Sequence, residues 1–347
     1  MTLPPSRSLL PALLLSATAL GATAAQAADV NIYSSRQPAL LQPLLDAFTK
    51  ETGLSTATIF IESGLEERIR AEGANSPADV VMTVDIGRLD ATKRAGVLQP
   101  VESAVIDADI PAEFRDGENE WFGVTSRARV VYASKSRVGD EPITYESLAD
   151  PKWKGRICIR SGQHQYNVAL VAAYLAHHGE EDTKTWLTGL RDNLATAPEG
   201  GDRDQARNVA AGQCDIAIGN TYYVGLMQNN EKEPQQKEWA EAIKVVMPTF
   251  ENGGTHVNVS GMGLARNAPN RDNAVRFMEF LTTDEAQRIY AEVNYEYPLK
   301  PGVAASETVA AMGALKPDTL SLTDIASHRA KASELIDEVR FDNGPQS

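Results

Sequence analysis

The chain is poor in the residues from which most metal centres and nucleophilic active sites are built. Its 347 residues include two cysteines and five histidines, with no Cys-x-x-Cys or clustered His spacing to assemble a zinc site. Glycine signatures are missing too: there is no G-x-G-x-x-G fingerprint, no P-loop and no G-x-S-x-G nucleophile elbow. Ser34, His256 and the many aspartates supply a hydrolase triad in composition only, so an enzyme reading has no positive support. Basic residues are outnumbered, 33 Lys and Arg against 47 Asp and Glu, and they form no block. A chain with a formal charge of −14 is a poor partner for nucleic acid or anionic lipid. Beyond residue 27 no run is apolar enough to span a bilayer, so no direct membrane insertion is expected.

The first 27 residues read differently from the rest. Arg7 gives a thin positive region, residues 9–20 form an apolar run, and Ala25-Gln26-Ala27 ends a stretch of small residues. This is the pattern of a secretory signal peptide cleaved before Ala28. Arg7 is the only charge lost with it, which takes the formal −14 to −15. No cysteine follows the cleavage point to accept lipid, so a free, exported, periplasmic protein is expected. Cys158 and Cys214 both lie in short apolar runs; a structural disulfide and two separate buried thiols are both open.

The mature chain is long enough for two domains. Residues 29–36, 55–62 and 78–84 read as strands, and 40–52, 65–73 and 86–96 as helices. In the first helix the apolar residues Leu41, Leu44, Leu45 and Phe48 recur at helical spacing. This alternation argues for a parallel, helix-covered sheet. A long strand within 121–133 is suited to crossing between domains. Strands at 156–160 and 214–218, with helices at 166–178, 184–193 and 203–212, make a second α/β unit. Residues 257–265 form a second crossing strand, followed by helices at 270–282 and 284–294. The expected organisation is a signal peptide at 1–27, domain 1 at 28–126 with its return at 256–305, and domain 2 at 127–255. C-terminal helices at 306–347 remain unassigned to either domain. Two α/β domains joined by two crossing strands form a hinged clamshell that closes on a ligand.

Tyr222 and Tyr223 follow the apolar Cys214-Asp215-Ile216-Ala217-Ile218 run, just past a strand end, where open α/β sheets present ligand groups. Tyr166 holds the matching place after the 156–160 strand, so two neighbouring parallel strands would bring the three phenols to one edge of the cleft. A free phenol titrates near pH ~10, so only a strongly acidic cation holds phenolates near neutrality. Fe(III) does this, whereas Ca(II), Mg(II) and zinc prefer other ligands. Packing at a sheet edge with hydroxyls in water is the alternative for each tyrosine. Three phenolates leave an octahedral ion incomplete. Arg127 and Arg129, on one face of the crossing strand by period-two alternation, and Arg36 at the first strand's end, suit a planar anion such as carbonate. Backbone donors from Ser161, Gly162 and the Tyr166 helix start could join them. Interdomain salt bridges are the alternative role for these arginines. His177-His178 reads as a helix C-terminal cap, and His164 as a neighbour able to support Tyr166.

At this point the chain resembles the periplasmic ferric-ion-binding proteins of bacterial ABC importers, with the type II periplasmic-binding fold. Tyr33-Ser34-Ser35-Arg36-Gln37-Pro38, Ser76-Pro77-Ala78-Asp79-Val80, Ser126-Arg127-Ala128-Arg129-Val130 and Val259-Ser260-Gly261-Met262-Gly263-Leu264-Ala265 carry the likeness. The Asn220-Thr221-Tyr222-Tyr223 stretch is its most specific part. The resemblance implies that Tyr166, Tyr222 and Tyr223 bind Fe(III), and that Arg127, ahead of Arg129, holds carbonate or another synergistic anion. It further implies a monomeric receptor that delivers iron to an ABC permease in the inner membrane. Relatives with a histidine after the first strand gain a further ligand. This chain has Gln37-Pro38 there, and Val84 beside Asp85 where others have a glutamate. A three-tyrosine site completed by anion or water is therefore expected, with Tyr33 as a further contributor. A binding protein for a small anion or organic solute, with the arginines as primary contacts, is the alternative.

Overall fold

The computed structural model describes residues 28–346, and the expected signal segment at 1–27 lies outside them. Ten strands join in one sheet: β1 (Val30–Ser34), β2 (Thr56–Phe60), β3 (Val80–Thr83), β4 (Leu98–Gln99), β5 (Phe122–Ser134), β6 (Ile157–Cys158), β7 (Ile216–Asn220), β8 (Ile243–Val246), β9 (Val257–Ala265) and β10 (Tyr297–Pro298). The main path runs β2-β1-β3-β9-β5-β7-β6. β1 pairs in parallel with β2 and β3, and each of these three strands leads into a helix. The first helix, Pro38–Thr52, shows why: Leu41, Leu44, Leu45 and Phe48 form one buried stripe. Pro38 opens it where no helical N–H is needed. Gly53, at φ 74°, closes it by donating its N–H to the Thr49 carbonyl.

β5 is buried along all thirteen residues and belongs to both parts of the sheet. Up to Ala128 it pairs with β9; from Arg129 onward it pairs with β7 on one side and β8 on the other. We call the β1–β3 side the first lobe and the β6–β7 side the second. Strands buried on both faces need no alternation of polar residues, which is why β5, β7 and β9 read as continuous runs.

The disulfide alternative is the one the structure takes: Cys158 is bonded to Cys214, tying the end of β6 to the approach to β7. The strand expected at 156–160 keeps only Ile157 and Cys158 in the ladder. Beyond it the chain stays extended but bonds a loop instead, with Glu199 donating to the Ile159 carbonyl. The helix expected from 184 begins at Glu180, because Glu180, Glu181 and Asp182 suit the positive end of its dipole. The C-terminal Leu322–Glu338 helix lies along the Gln165–His178 helix of the second lobe and also touches the Ile86–Arg94 helix of the first.

Candidate functional site

β6 and β7 run parallel and enter helices at the same sheet edge, Gln165–His178 after β6 and Thr221–Gln228 after β7. Tyr166 is the second residue of one helix; Tyr222 and Tyr223 are the second and third of the other. Strand alternation ends there, and residues one apart on a helix diverge by only about 100°. The structure brings all three phenols together. Tyr166 Oη and Tyr222 Oη are 3.2 Å apart, and the Tyr222 and Tyr223 rings lie 4.2 Å apart between centroids. All three line a cavity of about 230 Å³ between the lobes, with Arg36, Arg127, Arg160, His164 and Glu296.

Burial pushes the Tyr222 hydroxyl well above the ordinary phenol range, and Tyr166 and Tyr223 add to the rise. Tyr223 moves the same way through burial and its neighbours Tyr166 and Asp202. Both are therefore neutral phenols while the site is empty. His164 caps the Gln165–His178 helix, its Nδ1 accepting the Tyr166 N–H at 3.3 Å. Burial and the charges of Arg160 and Arg129 pull it down to about 3, so it is neutral and serves as an acceptor that fixes the start of the tyrosine's helix.

Arg127 and Arg36 converge on one carboxylate. Glu296 accepts from Arg36 Nη2 at 2.9 and 3.0 Å and from Arg127 Nη2 at 3.2 Å, while Ser260 Oγ accepts from both guanidinia. Burial alone would raise Glu296, but Arg36, Arg127 and the Thr125 hydroxyl hold it below the usual carboxylate range. Arg127 is 2% exposed, and among the described residues its Nε and Nη1 have no partner. Buried guanidinium N–H groups without acceptors are costly, and an anion in the cavity would accept from them.

Arg129, Tyr33, Ser161 and Gly162 do not line this cavity. Arg129 shares the Arg127 face, but its donors are taken by Asn167 Oδ1 (2.7 and 3.1 Å), Asp202 Oδ2 (2.7 Å) and Asn220 Oδ1 (3.1 Å). It lies outside the cavity lining and backs the Tyr166 ring, 5.9 Å from its centroid. Tyr33 turns its hydroxyl to Glu72, at 2.9 and 3.0 Å, with Arg68 over its ring, so it too stands outside the cavity. Ser161 and Gly162 are also engaged: Asp342 accepts from the Ser161 hydroxyl at 2.5 Å and the Gly162 N–H at 2.6 Å. Asp85 caps the Ile86–Arg94 helix through the Gly87 N–H rather than facing the cavity, whereas Val84 and Gln37 line it. Sequence reasoning missed Glu296 and Arg160. Glu296 follows a helix in an irregular segment with no motif around it, so only the fold reveals that it meets Arg36 and Arg127. Arg160, paired with Asp202 at 3.1 Å, lies 5.6 Å from the Tyr166 centroid.

Residues 75–318 match the profile of the bacterial extracellular solute-binding proteins. The chain is 44% identical to iron uptake protein A1 of a Synechocystis strain over 312 residues, which cover 89% of this chain and 86% of that protein. Among solved structures, apo ferric ion-binding protein A of Pasteurella haemolytica superposes with a TM-score of 0.86 at 48% identity, covering 90% of this chain and 98% of that one. A Trichodesmium protein in complex with iron and citrate gives a TM-score of 0.85 at 42% identity, covering 90% and 99%.

Proposed function

The chain belongs to the bacterial extracellular solute-binding proteins, among their ferric-ion-binding members of type II periplasmic-binding fold, and we propose that it captures Fe(III) on Tyr166, Tyr222 and Tyr223. It is a binding protein for iron uptake and not an enzyme. The observation that carries the ligand assignment is the 3.2 Å approach of the Tyr166 and Tyr222 hydroxyls beside Tyr223. Fe(III) exchanges three phenol protons for three iron–oxygen bonds, which cancels the charge of the ion. One anion then fits the remaining charge. Glu296 offsets one of the two guanidinia, which leaves a net positive charge beside the Nε–H and Nη1–H groups of Arg127, without acceptors among the described residues. Carbonate or a small carboxylate in the cavity could accept from these N–H groups. Closure of the lobes on this complex yields the form that an ABC permease in the inner membrane would receive.

Ferric phenolates absorb visible light by charge transfer, so Fe(III)-loaded protein is expected to be coloured. Tyr222→Phe with Tyr223→Phe should bleach the band and lower iron affinity by orders of magnitude, read by competition with a chelator. A colourless wild-type protein that takes up no iron at neutral pH overturns the assignment. The unpartnered N–H groups of Arg127 favour one second reading, a receptor for a small anion alone. That reading requires anion binding by metal-free protein to survive the double Phe substitution, which calorimetry would detect.

A further inference from the structure

Arg329 sits in the Leu322–Glu338 helix, outside the iron cavity, and joins the two lobes beside that cavity. Its Nη1 lies 3.3 Å from Asp85 Oδ1, in the first lobe, and donates to the Gln165 carbonyl of the second at 3.2 Å. Gln165 precedes Tyr166 and lines the cavity, as does Arg88 three residues after Asp85. Asp85 is fully buried, and among the described residues Arg329 is its one ion-pair partner. Its other contacts are with the Gly87 N–H at 2.9 Å and with Asn258 Nδ2, on β9, at 2.7 Å. A β-carbon at Gly87 would collide with the Arg329 Nε and Cζ, so the absence of a side chain there is what admits the guanidinium.

We infer that Arg329 is a positioning residue for iron retention: a latch that holds the first lobe, through Asp85, to the helix start that carries Tyr166. The helix bearing Arg329 packs more extensively on the ligand-bearing Gln165–His178 helix than on the Ile86–Arg94 helix, which assigns it to the second lobe. Parting the lobes must then stretch the Arg329–Asp85 pair, because its two partners stand on opposite sides of the cleft. Opening would leave the Asp85 carboxylate without its cation, still held by the cap and by Asn258. An unpaired charge in so little water is strongly unfavourable, so the pair biases the molecule toward closure. Removing an ion pair that must break as the lobes part acts mainly on the rate of release. The latch should therefore slow iron release more than it changes the metal's immediate surroundings.

The release arm rests on the Fe(III) assignment, and the scattering arm does not. Full-length mature protein is loaded with Fe(III) and carbonate and mixed with excess EDTA, and loss of the visible band is followed. Arg329→Gln should release iron about tenfold faster or more, with the band position unchanged. Gly87→Ala expels the same guanidinium without altering charge and should act likewise, while Arg329→Lys should recover part of the retention. Asp85→Asn, which keeps the cap, should add little to Arg329→Gln in the double variant. Small-angle scattering of the iron-free proteins should show Arg329→Gln shifted to a larger radius of gyration. If Arg329→Gln and Gly87→Ala release iron at the wild-type rate with unchanged scattering, the latch is wrong, even if their melting temperatures fall. If wild type shows no band, the iron assignment has failed, and the scattering comparison alone decides the latch.

Discussion

A tyrosine becomes a strong ligand only when it loses its proton, and this site makes that loss difficult until a metal arrives. Burial and Tyr166 raise both Tyr222 and Tyr223, so on the proposed assignment the metal must displace, at neutral pH, protons it would not meet on carboxylates. Apparent Fe(III) affinity should therefore fall as pH falls, with log K changing by up to about three per pH unit for three displaced protons. A spectral titration against a chelator of known protonation reads that slope; a flat profile would show that the phenols are not the ligands. Glu296 has the opposite sign. Its acidity is enhanced by Arg36 and Arg127, so its contribution to stability is present above the ordinary carboxylate range and is lost as pH drops through its depressed folded value. Glu296→Gln leaves two buried guanidinia sharing no carboxylate, and should destabilise the iron-free protein by about 3 kcal/mol or more in a denaturant titration. The tyrosines were legible because their position after a strand is a property of the chain itself. Glu296 was not, because its meaning lies in residues 36 and 127, which only the fold brings near.

Individual elements explain why the three phenols converge and why Arg129 and Tyr33 are engaged elsewhere. Parallel pairing of β6 and β7 sets their following helices side by side, a placement that the apolar runs and helical periodicities already implied. Period-two alternation correctly puts Arg127 and Arg129 on one face of β5, yet it cannot say what covers that face. Asn167, Asp202 and Asn220, from three separate elements, enclose Arg129 and leave Arg127 open. Tyr33 fails for a related reason: the Leu65–Glu72 helix brings Glu72 within reach of its hydroxyl, a pairing across 39 residues that no local pattern encodes. The Cys158–Cys214 bond joins the two strands that position the tyrosines and closes a loop of 56 residues. A loop of that length corresponds to about 4 kcal/mol in the chain-entropy account. Reduction, or paired Cys→Ser substitution, should lower the unfolding free energy by roughly that amount. Weaker iron retention should accompany it, checked by denaturation with and without reductant.

At the scale of the whole molecule, the lobes are joined through the shared strand β5, the β9 ladder and the helix that carries Arg329. All three tyrosines stand on the second lobe, while Arg36 comes from the first and Arg127 from the strand between. If the three phenols hold the metal as proposed, seizing it and shutting the molecule are separable acts. One half can bind the ion as an open hand, before its opposite number has moved. Colour should consequently appear on mixing with Fe(III) before the scattering radius contracts, in paired stopped-flow measurements; simultaneous change would mean that closure is needed for capture. A permease that recognises the contracted outline would then be reading whether the hand has shut, and an ion held in an open palm would pass unnoticed.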